Sequence, residues 1–181
     1  SVPAPAEGIF GDQAGAMQFN GTSDGIQTWK GRDFRFGQRF SAQFWVKTSA
    51  DKEAYWVSTS SGDVAHDRGW DVGLFGNDSR ELVFTVTNGG TQNQVKCPPP
   101  YDGAWHHVTA VRADDTYLLF VDGALCSSVA GSPLSDGYDL GNMLQIGHRY
   151  HHDTGGNIHH LEGQLDELIV FNRALTPDEI E

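Results

Sequence analysis

Apolar residues recur at every second position through most of the chain. Phe40, Ala42, Phe44 and Val46 share one face of their segment, and Ser41, Gln43 and Lys47 share the other, with Trp45 among them. Trp70, Val72 and Leu74 repeat the pattern, as do Leu82, Phe84 and Val86. A period of two marks half-buried β-strands, one face on a core and one face outward. Short turn signals separate these runs: Asn20-Gly21, Asp24-Gly25, Asn88-Gly89-Gly90, Asp102-Gly103, Asp122-Gly123 and Asp136-Gly137. Asn-Gly and Asp-Gly suit tight hairpins because both central residues take positive φ. About a dozen short strands follow from this reading. Only the C-terminus reads as helix, with Thr176-Pro177-Asp178-Glu179 as a capping box. Many strands and almost no helix predict an all-β sandwich or barrel.

Composition narrows the picture. The chain has 181 residues, enough for one domain with its own core. Residues 1–15 read as a linker or first edge segment and 16–181 as the domain, which looks cut from something longer. The formal charge is −12, from 12 basic and 24 acidic residues, so phosphate backbones are repelled and nucleic acid is not an expected partner. No apolar run approaches the ~20 residues that span a bilayer, so membrane insertion is not expected. Two cysteines, Cys97 and Cys126, are too few for a disulfide scaffold. They fit either one bridge or two buried thiols.

Several ordered motifs carry a resemblance. Met17-Gln18-Phe19-Asn20-Gly21 and Phe44-Trp45-Val46-Lys47 stand near the start. Trp105-His106-His107-Val108-Thr109-Ala110-Val111-Arg112 precedes Tyr117-Leu118-Leu119-Phe120-Val121-Asp122-Gly123. Leu144-Gln145-Ile146-Gly147 follows, and the chain closes on the run Leu161 to Thr176, which contains Gly163-Gln164-Leu165-Asp166-Glu167. This set resembles the laminin-G-like domains of the concanavalin A-like lectin/glucanase superfamily, from about Ala16 to Glu179. The resemblance implies a jelly roll of two antiparallel sheets, one of them concave. It implies a non-catalytic carbohydrate-binding module of a secreted or cell-surface protein, with an oligo- or polysaccharide as partner. A protein-binding adhesion or spacer module is the alternative, and a glycoside hydrolase or lyase domain is a more distant one. It also implies a structural Ca²⁺ where the first and last strands meet, with Asp24 and Asp166 as ligands. Without the ion, Asp24 opens the turn at Gly25 and Asp166 hydrogen-bonds a neighbouring strand.

The residues themselves argue against catalysis. Glucanases of this superfamily carry paired carboxylates on one strand, and the nearest pattern here is Glu162 to Glu167. Glu162 and Asp166 share a face but lie about 13 Å apart along a strand, whereas glycosidase pairs stand roughly 5 to 9.5 Å apart. His106 and His107 point to opposite faces and cannot act as one ligand set, so they read as structural. Trp105, Val108 and Ala110 read as core anchors.

Five of the eight histidines fall between His148 and His160. This stretch reads as a long loop without structure of its own, and such loops often carry function. Tyr150 can stack on a sugar ring, while His151, His152, Asn157 and His159 can hydrogen-bond hydroxyls. The same imidazoles suit a transition metal if the loop folds back, and a solvated loop is the plain alternative. A second cluster contains Tyr55, Trp56, His66, Arg68, Trp70 and Asp71. Trp56 and Trp70 read as core. Asp71 then faces a solvent-exposed surface, and His66, Arg68 and Asp71 become candidate ligand contacts.

Overall fold

A computed structural model describes residues 1–28, 37–60, 68–76, 80–88, 91–131, 143–151 and 155–180. Its strands are β1 (Ala4–Ala6), β2 (Ala16–Asn20), β3 (Ile26–Gln27), β4 (Arg39–Lys47), β5 (Ala54–Ser58), β6 (Arg68–Phe75), β7 (Glu81–Asn88) and β8 (Thr91–Cys97). Further on come β9 (Trp105–Ala113), β10 (Thr116–Val121), β11 (Ala124–Ala130), β12 (Gln145–Ile146), β13 (Arg149–His151), β14 (Gly156–Ile158) and β15 (Glu162–Phe171).

Two antiparallel sheets face one another, as the resemblance implies. One has seven strands in the order β1-β2-β15-β4-β9-β10-β11, and the other six, β3-β12-β5-β6-β7-β8. The alternating residues of the sequence meet between them. Phe40 of β4 lies 5.4 Å from the Trp70 ring and 6.0 Å from Phe84, and Phe44 meets Trp56 edge-on at 6.2 Å. All five are fully buried, so Trp56 and Trp70 are core residues as expected. Truncating one such ring to Ala costs about 3–5 kcal/mol.

Of the described turn pairs, Asp122-Gly123, in the tight link between β10 and β11, takes positive φ at both residues (52° and 78°); at Asn20-Gly21 and Asp102-Gly103 the glycine alone does, and at Asp24-Gly25 neither does. Cys97 and Cys126 are bridged, with their Cα atoms 6.1 Å apart. The bond ties edge strand β8 of one sheet to edge strand β11 of the other.

Three expectations need correction. Trp105 is not a core anchor: it is half-buried and paired with Lys47 on the outer side of β9, because it alternates with Val108 and Ala110. The C-terminal helix is a single 3-10 turn, Pro177–Glu179, although Glu179 Oε2 does accept the Thr176 N–H at 2.9 Å. The histidine-rich segment is not a structureless loop. β13 and β14 pair as a hairpin, with Arg149 opposite Ile158 and Tyr150 opposite Asn157.

Candidate functional site

The outer face of the six-stranded sheet is built by register. Gln145, Ser58, Asp71, Thr85 and Gln94 stand opposite one another on β12, β5, β6, β7 and β8. Five strands at ~4.8 Å spacing make this row about 19 Å long. Each of these residues alternates with core neighbours, so the same pattern that fills the core projects a polar row outward.

The β13–β14 hairpin walls one end of this row. Arg149 donates from Nη1 to the Tyr55 hydroxyl at 2.7 Å, and the same atom lies 3.8 Å from Asp71 Oδ2. Its guanidinium sits 5.0 Å from the centre of the Tyr55 ring. Ser58 donates its hydroxyl to Asp71 Oδ1 at 2.5 Å. Tyr55 in turn packs against Phe75, ring centres 4.6 Å apart. Gln94 donates to the Thr85 hydroxyl at 3.3 Å. Glu53, Gln92 and these residues, apart from the buried Ser58, line a trough of about 200 Å³.

The charged groups of the trough are Arg149, Asp71 and Glu53. Burial, then the charge of Asp71, push the Tyr55 phenol up to about 12, against the opposing pull of Arg149. Tyr55 therefore stays neutral and serves as acceptor for Arg149. Arg149 faces both Asp71 and the tyrosine hydroxyl, so its charge is met within the site.

Of the residues singled out in the sequence, Asp71 lies at the centre of this site. Its side chain faces outward as alternation requires, but it is only 3% exposed because Ser58 and Arg149 cover it. That corrects the expectation of a solvent-facing carboxylate. His159 stands at the rim. Its backbone carbonyl accepts the Tyr55 N–H at 3.0 Å, its ring lies 5.9 Å from Tyr55, and its Nδ1 is 3.7 Å from Glu53. His151 follows two residues after Arg149 and shares its side of the hairpin.

Tyr150 and Asn157 pair on the hairpin itself, with Tyr150 on the side opposite Arg149. The Tyr150 N–H is anchored by the Gln145 side chain. Arg68 is exposed at the start of β6 and does not line the trough. His66 and His152 lie outside the described residues.

Asp24 and Asp166 are not brought together. The Asp24 carboxylate accepts the Asn20 N–H at 3.0 Å and the Ser1 hydroxyl, while Asp166 accepts the N–H groups of Ile9 and Glu167 at 2.9 and 2.8 Å. Asn20 pairs with Glu162 and Met17 with Leu165, so the two carboxylates belong to opposite ends of β2. They do not fit one shared calcium ion. The carboxylate beside Asp166 is that of Asp12; a side chain added at Gly8 would collide with both. Among the described residues, no three His, Cys, Asp or Glu side chains converge as a metal-ligand set.

Sequence reasoning singled out Asp71 but not Arg149, Thr85, Gln92 or Gln94 as contacts. The signal for the last three was present: they alternate with buried Phe84, Val86, Asn93 and Val95 on β7 and β8. Nothing local marked Arg149, because its role depends on the hairpin folding over β5.

Known structures share this architecture. Domain 4 of AbnA, a GH43 extracellular arabinanase from Geobacillus stearothermophilus, solved with arabinotriose, superposes with a TM-score of 0.72 at 18% identity, covering 99% of this chain and 80% of that one. The heptameric SAP-like pentraxin of Limulus polyphemus gives 0.68 at 17% identity, covering 91% and 79%. Mouse laminin α1 domains LG4-5 give 0.65 at 21% identity, covering 98% of this chain and 45% of that one. No curated protein matches in sequence. Residues 20–181 match a laminin-G family model described as concanavalin A-like lectin/glucanases superfamily. With motifs, topology and that match in agreement, the chain belongs to the laminin-G-like family of the concanavalin A-like superfamily.

Proposed function

We propose that the trough on the six-stranded sheet binds a neutral oligosaccharide and that the domain is a non-catalytic, extracellular carbohydrate-binding module. The observation that carries this is the row Asp71–Thr85–Gln94, closed at one end by Arg149 and the Tyr55 and Phe75 rings, tilted against each other with centres 4.6 Å apart. Sugar sites need fixed polar groups for hydroxyls and an aromatic edge for the apolar face of a ring. Gln92 and Gln94 offer both donors and acceptors without charge. The disulfide between Cys97 and Cys126 suits an oxidising, extracellular setting. The arabinotriose in the AbnA domain, on the same architecture, supports an oligosaccharide as ligand.

Binding to a glycan array tests the reading, with the protein in calcium and again in EDTA. At least one neutral glycan is expected to bind. Gln94→Ala then weakens that glycan about 3- to 10-fold, the worth of one hydrogen bond, and Arg149→Ala weakens it more. An array that stays blank contradicts the reading and favours a protein ligand. A structural calcium remains part of the proposal only at Asp166, where Asp12 is the neighbouring carboxylate. In that case calcium raises the melting temperature of the wild type but not of Asp166→Asn.

A further inference from the structure

The opposite face of the sandwich carries a second cavity with different chemistry. On the outer side of the seven-stranded sheet, the C-terminal segment covers one half: Leu175 and Ile180 pack on Val111 and Phe120. Trp45 and His107 stand on the uncovered half. They face each other across β4 and β9, ring centres 5.1 Å apart and planes 32° from parallel. Trp45 points away from the core, since Phe44 and Val46 point into it.

Asp122, Gly123, Ala124 and Ile180 complete a cavity of about 560 Å³, the size range of small-molecule sites. The Asp122 carboxylate is held in place, Oδ2 by His106 Nδ1 at 2.8 Å and Oδ1 by the His107 N–H at 2.9 Å. Each oxygen keeps a second lone pair for a ligand hydroxyl. Burial pushes the His107 imidazole below its usual value, so it is neutral at pH 7 and offers one donor and one acceptor. Among the described residues lining the cavity there is no Lys or Arg. His106, held between Asp122 and Asp102, partners this carboxylate without lining the cavity. The carboxylate face turned to the cavity and the chain's net charge of −12 disfavour an anionic ligand. What suits the set is a ring with an apolar C–H face for the indole and hydroxyls for Asp122.

We propose that the Trp45–His107–Asp122 cavity is a second site for a neutral sugar ring, separate from the trough on the other sheet. Its occupancy does not depend on Arg149 or Gln94, which belong to the opposite face. Two sites on opposite faces would let one domain bridge neighbouring polysaccharide chains.

The test is ¹H–¹⁵N spectroscopy of the whole chain during titration with arabinotriose, xylotriose, cellotriose and maltotriose. The Trp45 indole resonance is identified by its loss in Trp45→Phe. With at least one sugar it should shift saturably, and the shift should persist in Arg149→Ala. His107→Ala should weaken that sugar about 3- to 10-fold. Should Trp45→Phe fail to fold, His107→Gln serves as the marker through its effect on the same resonance. The proposal is overturned if none of the four sugars moves the Trp45 resonance, or if Arg149→Ala abolishes the shift. Failure of the trough alone leaves the Trp45 response intact, so the two sites are judged separately.

Discussion

At the scale of single residues, His148 shows how far a side chain's role depends on its surroundings. It is 2% exposed, stacks on His160 at 5.7 Å, and fills the space over Gly25 so closely that any side chain there would strike its ring. His160 in turn hydrogen-bonds the Asp24 carbonyl at 2.9 Å. Burial, then the neighbouring His160, push the His148 imidazole down to about 4. Unfolded, it takes up a proton near pH ~6.5. Between those values the unfolded chain binds more protons than the native one, so stability is full above pH ~6.5 and declines as the pH falls toward 4. The loss is on the order of 3 kcal/mol. Urea denaturation at pH 7.5 and pH 4.5 should show it, and His148→Phe should flatten the difference; equal midpoints in the wild type would contradict the assignment. The sequence marked His148 only as one of five clustered histidines. Its burial was not legible, because the partner that closes over it is Gly25, far away along the chain.

Strands and hairpins were more legible than side-chain partners. Alternation located the core faces of β4, β6 and β7, since a period of two leaves one way to bury Phe40, Trp70 and Phe84 together. The same rule, applied strictly, also places Trp105 outward; grouping it with Val108 set parity aside. The hairpin of β13 and β14 escaped the reading because its strands are three residues long and mostly polar, with Ile158 the one aliphatic side chain, too little for an alternating pattern. The Cys97–Cys126 bond could not be derived from spacing, since it joins edge strands of different sheets. Closing a loop between residues 29 apart removes chain entropy worth about 3–4 kcal/mol. The double variant Cys97→Ala, Cys126→Ala should therefore melt well below the wild type, with the same far-UV spectrum at low temperature. An unchanged melting temperature would mean that the bond adds nothing to the native fold.

Across the whole molecule, the two sheets use one core and present two distinct outer faces. The six-stranded face holds a polar trough in which Arg149, Asp71 and Tyr55 satisfy one another. The seven-stranded face is half covered by the C-terminal segment and half open around Trp45. The family and the jelly roll were legible from ordered motifs, because turns and core anchors recur with the fold. The site was legible at Asp71 and Tyr55, with His159 at its rim, and not at its other contacts, because a binding row runs across strands while a sequence runs along them. The most direct test of the central claim is to map, by ¹H–¹⁵N spectroscopy, the glycan bound most tightly on the array. Shifts at Phe75, Thr85, Gln92 and Gln94 are the result this account predicts. Saturating glycan that leaves these four positions unmoved would contradict it.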